Sequence, residues 1–289
     1  MPTKGEKDQI TGREMTGHEW DGIRELDTPL PKWWLYVLYA TIAFAIVYCI
    51  LYPSVPLIWT HTHGVLGYTN RGALARSTEE AVTQQAKFRE AIGNASLEDI
   101  RKNPNLLAFA ETGGRAAFND NCAPCHRAGG AGAKGYPNLA DDDWLWGGTL
   151  AQIHQTITHG IRNSDPESHQ SQMPRFGADG LLTREQISDV ADFVMTLSGQ
   201  KAPQDAAQRG SKIFADNCAV CHGEKGTGNQ ELGAKNLADG IWLYGGDKAT
   251  IVETVTNARN SSMPAWGARL DPTTIKMLAV YVHSLGGGK

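Results

Sequence analysis

Cysteine is scarce in this chain of 289 residues, with 5 in all. That is too few for a small fold stapled by a dense set of disulfides. An excess of charge of one sign is also missing, since 27 Lys and Arg stand against 31 Asp and Glu. A protein that holds nucleic acid on a strongly basic surface is excluded by that balance. No Gly-X-Y period and no low-complexity tract runs through the sequence, so a collagen-like or wholly disordered chain is excluded as well. Long apolar runs are absent except at one place near the N-terminus. What the chain does contain is concentrated in that run and in four cysteines that form two copies of one motif.

Residues Trp33 to Tyr52 read WWLYVLYATIAFAIVYCILY without a charge, and the uncharged stretch continues to Thr60. A helix that spans a bilayer needs about 20 such residues. Trp33, Trp34 and Tyr36 lie at one end, and Tyr52 and Trp59 near the other, where aromatic belts sit. The sequence therefore predicts a single transmembrane anchor over 33–59, preceded by a segment over 1–32. A cleaved signal peptide fits badly. The preceding segment carries more acids than bases, and no small-residue cleavage site follows the apolar block. A buried core helix would be the other use of such a run. Cys49 inside it reads as a small residue facing lipid or a partner.

A polar connector with short helices is expected over 60–112. Ser77-Thr78-Glu79-Glu80 has capping-box spacing and predicts a helix to about Ile92, and Ser96 predicts the start of another. Gly113-Gly114 is read as the opening of a new unit. From there the chain repeats itself. RAAFNDNCAPCH (115–126) matches RGSKIFADNCAVCH (209–222), PNLADDDWLWGG (137–148) matches KNLADGIWLYGG (235–246), and Met173-Pro174 matches Met263-Pro264. Each copy ends in an amphipathic helical pattern, Ile187 to Leu197 and Ile275 to Leu285. Two copies of one domain are expected, 113–199 and 200–289, giving an all-α fold of one span followed by two tandem class I cytochrome c-like domains.

That fold class follows from Cys122-Ala123-Pro124-Cys125-His126 and Cys218-Ala219-Val220-Cys221-His222. Both are CxxCH, the motif of c-type haem attachment. Two thiols one helical turn apart form thioethers with the vinyl groups of one porphyrin, and the adjacent histidine reaches the iron from the same side. A zinc site would need further cysteine or histidine ligands close by. The motif predicts two covalently bound haem c groups, on Cys122 and Cys125 with His126, and on Cys218 and Cys221 with His222.

Met173 and Met263, each in a Met-Pro-x-aromatic-Gly loop, are the candidates for the sixth iron ligand. Read along the sequence, Met173 serves the first haem and Met263 the second. Met195 and Met277 lie in the terminal helical patterns and read as core. His154 and His159 are alternative distal ligands in the first copy, but the second copy has no histidine in the comparable helix, so both read as structural or surface residues. His283 is given no ligand role, and His169, in an insert absent from the second copy, is expected to be solvated. Leu139 and Leu237 are expected to keep water from the haem. Trp144 and Trp242 either pack on the porphyrin or donate to a propionate, and Arg162 and Arg259 either pair with a propionate or stay exposed.

Haem is attached outside the bacterial cytoplasm, so 61–289 is expected in the periplasm and the first 32 residues in the cytoplasm, at the inner membrane. Irons saturated by His and Met leave one-electron transfer as the role. Residues Gly17 to Leu26 (GHEWDGIREL), followed by Pro29-Leu30-Pro31-Lys32-Trp33-Trp34, resemble the N-terminus of the dihaem subunit III of cbb3-type cytochrome c oxidases. Tyr39-Ala40-Thr41-Ile42, the Tyr52-Pro53 exit, the CxxCH motifs and the Met-Pro loops extend the resemblance over 17–285.

The resemblance implies a non-catalytic electron-transfer subunit of a proton-pumping oxidase. Electrons would come from donor c-type cytochromes and pass towards the haem–copper catalytic subunit that reduces oxygen to water, with a monohaem cytochrome c subunit between. It also implies that the EWDGI segment contacts the core or a small assembly subunit, that the anchor meets membrane lipid, and that no nucleic acid is bound. A membrane-anchored dihaem cytochrome serving a dehydrogenase or a nitrogen-oxide reductase shares the haem motifs but not the EWDGI segment. A dihaem peroxidase needs an open iron, which two candidate methionines argue against. A haem sensor needs a signalling domain, for which the N-terminal segment has no room.

Overall fold

The computed structural model describes residues 6–286. Two compact bodies make up the chain, residues 1–83 and 84–289. In the first, β1 (Met15–Trp20) pairs antiparallel with β2 (Ile23–Leu26), with Trp20 opposite Ile23 and Glu19 opposite Arg24. The two linking residues, Asp21 and Gly22, have positive φ of 51° and 82°. Two-residue hairpin turns demand that conformation, and Asp-Gly adopts it readily. The all-α expectation overlooked this hairpin, although the Asp-Gly pair between apolar residues signals it. Trp20 and Ile23 are left 67% and 71% exposed.

The apolar run forms α1 (Lys32–Leu51), 20 residues with none buried. At about 1.5 Å per residue such a helix covers the hydrocarbon core of a bilayer, about 30 Å. Its uncharged sequence continues to Thr60, but the helix does not. Tyr52 is already extended, at φ −117° and ψ 158°, because Pro53 pushes the residue before it out of the helical region.

The connector is more helical than its capping signals suggest. α2 (Asn70–Asn94) is 25 residues long and continues through Ser77, since it has no proline and its two glycines, Gly72 and Gly93, lie near its ends. Ser96 does cap α3 (Leu97–Lys102), accepting from the Asp99 N–H at 3.1 Å. α4 (Pro104–Asn121) follows, with Asn103 as its cap and proline in its first turn. Gly113-Gly114 does not break the helix. It lies inside α4, for a packing reason given below.

Each CxxCH forms one helical turn, α5 (Ala123–His126) in the first copy. α6 (Leu150–His159) and α7 (Arg184–Leu197) both begin in capping boxes, Thr149 with Gln152 and Thr183 with Gln186. The second copy supplies α8 (Gln204–Asn217), α9 (Ala219–His222), α10 (Lys248–Asn257) and α11 (Pro272–Ser284).

The packing crosses between the copies. α7, the last helix of the first copy, lies along α8, the first helix of the second, and α11 lies along α4. The link 198–203 is short, and a short link makes consecutive helices antiparallel neighbours. One core then joins Phe214, Ile251 and Val255 to Phe176, Ile187 and Val190. The other joins Phe118, Ile153 and Ile157 to Ile275, Leu278 and Val282. Each core thus draws its attachment helix from one copy and its terminal helix from the other. Lys276 of α11 also ties down the end of α2, donating to the carbonyls of Gly93 and Ala95 at 2.8 Å each.

Glycine makes both crossings close. Gly114 faces the carbonyl of Met277, and the matching Gly210 faces the carbonyl of Asp189. A Cβ on either would collide with that backbone. Valine at Gly114 or Gly210 is expected to cost about 1–3 kcal/mol through overpacking, read as a lower thermal midpoint with the haem motifs intact.

Candidate haem sites

The attachment motifs are positioned by the ends of α4 and α8. Cys122 N–H donates to Phe118 O at 2.8 Å and His126 N–H to Cys122 O at 2.9 Å. Cys218 and His222 repeat these bonds at 2.8 and 2.9 Å. One helical turn places the two thiols of each motif on the same side, which thioether attachment to one porphyrin requires. The Cys122 and Cys218 thiols are pushed up to about 11, by burial first and then by the neighbouring cysteine.

Both histidines are oriented from behind. The Nδ1 of His126 is 3.0 Å from the carbonyl of Pro137, and that of His222 is 2.8 Å from the carbonyl of Lys235. A carbonyl accepts only from Nδ1–H, so Nε2 is left with its lone pair, the form that ligates iron. Burial lowers the pKa of both rings and favours the neutral state.

The structure does not bring Met173 to His126, as reading along the sequence expects. Met173 lines a cavity together with Cys218, Cys221, His222, Leu237 and Trp242. The loop of Met263 crosses the other way. Met263 N–H donates to Ile161 O at 2.9 Å, Ile161 N–H returns to Met263 O at 3.0 Å, and Gly267 N–H reaches Thr158 O at 2.9 Å. In the mirrored place Gly177 N–H reaches Thr256 O at 3.2 Å, joined by Ala178 N–H at 2.9 Å. The physical reason is the helix pairing: each Met-Pro loop precedes a terminal helix and travels with it to the opposite copy.

Two asparagines outside the motifs hold these loops. Asn260 accepts from the Met173 N–H and donates to the Met173 carbonyl, both at 3.2 Å. Asn163 donates to the Met263 carbonyl at 2.8 Å. Sequence reasoning passed over both, because their role exists only once the copies interlock.

Leu139 and Leu237 join the apolar cores beside Cys122 and Cys218. Trp144 is part of the first core, and its buried indole N–H has no hydrogen-bond partner among the described residues. An unpaired buried donor is costly, and a haem propionate would satisfy it. The thiols, the lone-pair histidine nitrogens and this donor fit haem c. Arg162 is occupied by the carbonyls of Ser261 and Ser171, at 2.7 and 2.8 Å. Arg259 lies over the Tyr244 ring, 4.9 Å from its centre. His159 is engaged by Asp165 and Glu167 at 3.1 and 3.2 Å. His169 is half-buried, where full exposure was expected: it stacks on Trp146 at 4.1 Å and bonds to Thr156 at 3.1 Å, because the insert folds back in a bridge to Ile161. Among the described residues no group of three or more His, Cys, Asp or Glu is gathered as a metal site.

Three family models match the chain in order. The N-terminal domain of cytochrome oxidase-cbb3, FixP, covers residues 12–58. Cytochrome c covers 111–198, and cytochrome c oxidase, cbb3-type, subunit III covers 205–282. Cytochrome c domains carry covalent haem c. Among similar proteins, the cbb3-type cytochrome c oxidase subunit FixP of Azorhizobium caulinodans is 60% identical over 284 residues, 98% of this chain and 96% of the relative. That of Bradyrhizobium diazoefficiens is 53% identical over 291 residues and the whole of both chains. The cbb3-type subunit CcoP of Cereibacter sphaeroides is 52% identical over 290 residues, again covering both chains fully.

Proposed function

This chain belongs to the family of cbb3-type cytochrome c oxidase subunits FixP and CcoP, and from that premise we propose that it relays electrons through two covalent haem c groups. It accepts them from donor c-type cytochromes and passes them towards the haem–copper catalytic subunit, with a monohaem cytochrome subunit between. Oxygen is reduced to water on the catalytic subunit, not on this chain. The span α1 leaves the N-terminal hairpin in the cytoplasm and the haem domains in the periplasm of a bacterial inner membrane.

The haem ligands in this reading are His126 with Met263, and His222 with Met173. The observation that carries it is the presence of Met173 and His222 in one cavity. Bound haem supplies a one-electron Fe(III)/Fe(II) couple. The residues of the chain set its conditions. Thioether opposite histidine raises the reduction potential relative to two histidines. The carbonyls of Pro137 and Lys235 hold the imidazoles in one tautomer, and Leu139, Leu237, Trp144 and Trp242 limit water and so the reorganisation each electron causes. With His126 and Met263, and His222 and Met173, holding the two haems, no ligand position would be left for a substrate.

Purifying the intact complex and counting subunits and haem tests this function. Two haem c per copy of this chain, co-purifying with a haem–copper subunit, is the expected result, and a chain isolated with a dehydrogenase instead would refute it. Deleting 17–28 removes the hairpin and is expected to reduce complex yield more than haem attachment, measured by haem staining against subunit stoichiometry. Asn260→Ala removes two hydrogen bonds from the Met173 backbone. At about 1 kcal/mol for each bond, exogenous imidazole is expected to displace the methionine at roughly thirtyfold lower concentration, read in the ferric spectrum.

A further inference from the structure

The two haem sites are copies of one design, yet the terminal helix that closes each comes from the other copy. Matching the caps Thr183 and Asp271 puts Asp189 of α7 where α11 has Met277, and Asp192 where α11 has Val280. On the receiving side, Arg209 of α8 stands where α4 has Gly113, and Lys248 of α10 where α6 has Leu150.

These corresponding positions are filled by opposite chemistries. At the second site Asp189 takes the Arg209 guanidinium with both oxygens, at 2.7 Å each. Asp192, only 2% exposed, takes Lys248 Nζ at 2.7 Å. At the first site the same places are apolar. Leu150, Met277 and Val280 share one buried cluster, and a Cβ at Gly113 would stand 2.9 Å from the Met277 sulfur.

We infer that these contacts form a chemical key that commits each terminal helix, and the methionine loop before it, to the opposite copy. If α7 closed on α4 and α6 instead, Asp192 would be buried beside Leu150 with no base to meet it, and a buried unpaired carboxylate is strongly unfavourable. If α11 closed on α8 and α10, Met277 would meet Arg209 where it now has the space above Gly113. Asp192 carries most of the discrimination, because Arg209 and Lys248 keep side-chain exposures of 62% and 42% and can turn to water. The short link 198–203 favours the same arrangement, and the key resolves what the shared apolar pattern of the two repeats leaves ambiguous. The inference rests on the reading that Met173 and Met263 are the iron ligands.

The test transplants the key. Asp189→Met, Asp192→Val, Arg209→Gly and Lys248→Leu together give the second site the contacts of the first, so both terminal helices fit both sites. The full chain carrying Cys122→Ser and Cys125→Ser retains one attachment motif, so its methionine-to-ferric-iron band reports on the second haem alone. With the natural key, Met173→His is expected to abolish that band. With the transplanted key, a substantial part is expected to survive Met173→His, because Met263 now reaches the same iron in part of the population. Complete loss with either key would overturn the inference and leave the crossed ligation standing. Loss on Met263→His but not on Met173→His, with the natural key, would overturn the crossed ligation itself.

A second measurement covers misfolding of these variants. In the dihaem chain, Asp192→Lys alone is expected to lose about half of the band, and adding Lys248→Asp to restore it. A full band with Asp192→Lys alone, or no recovery with both, would overturn the inference.

Discussion

Replacing Met173 with histidine is expected to lower the midpoint potential of the haem attached through Cys218 and Cys221, and to leave the haem on Cys122 and Cys125 unchanged. Reading the repeats in order gives the opposite assignment, so the outcome discriminates between the two. The argument is geometric. Met173 shares a cavity with His222, and Asn260, from the second copy, holds its backbone at both N–H and carbonyl. Axial ligation spans about 0.8 V across haem proteins, and exchanging thioether for imidazole is expected to use about 0.2 V of it. Redox titration of a chain with one attachment motif removed identifies the haem. A lowered potential on the haem of His126 would sink the crossed assignment.

Ending the chain at Gly199 is expected to abolish His–Met ligation at the first haem, although every residue of the first sequence repeat is still present. That fragment loses α11, and with it Ile275, Leu278 and Val282 from the core around Phe118 and Met277 from the cluster around Ile92. Burying an aliphatic side chain contributes about 1.5–3 kcal/mol. Four such losses are comparable to the about 5–15 kcal/mol that holds a domain folded. The fragment also loses Met263. Its absorption is expected to lack the methionine-to-ferric-iron band, and co-expression of residues 200–289 is expected to restore it. A fragment that keeps the band alone, with unchanged thermal midpoint, would show that each repeat closes on itself.

Much of this protein is legible one residue at a time. The anchor is visible because a run without charge needs no partner to be recognised, although its helix stops at Leu51 where Pro53 forces the chain to extend. The attachment motifs are visible because two thiols and a histidine on one turn are a local arrangement. Ser96, Thr149 and Thr183 mark helix starts through bonds to their own neighbours. The Asp21-Gly22 hairpin was equally local, and its signal lay in the turn residues. Gly113-Gly114 looked like a boundary because glycine is read as a breaker, whereas Gly114 is needed where α4 meets the Met277 backbone.

The sequence by itself determined the span, the paired CxxCH motifs, the duplicated unit and the two Met-Pro loops, since each depends on residues close together in the chain. Only the tertiary structure decided that Met173 shares a cavity with His222, and that Asn163 and Asn260 hold the two methionine loops. Two copies with the same apolar pattern can close their cores in either order, and periodicity within a copy is the same in both. The choice lies in contacts between distant residues: the short link that lays α7 beside α8, the glycines at the helix crossings, and a buried Asp192 paired with Lys248 of the other repeat.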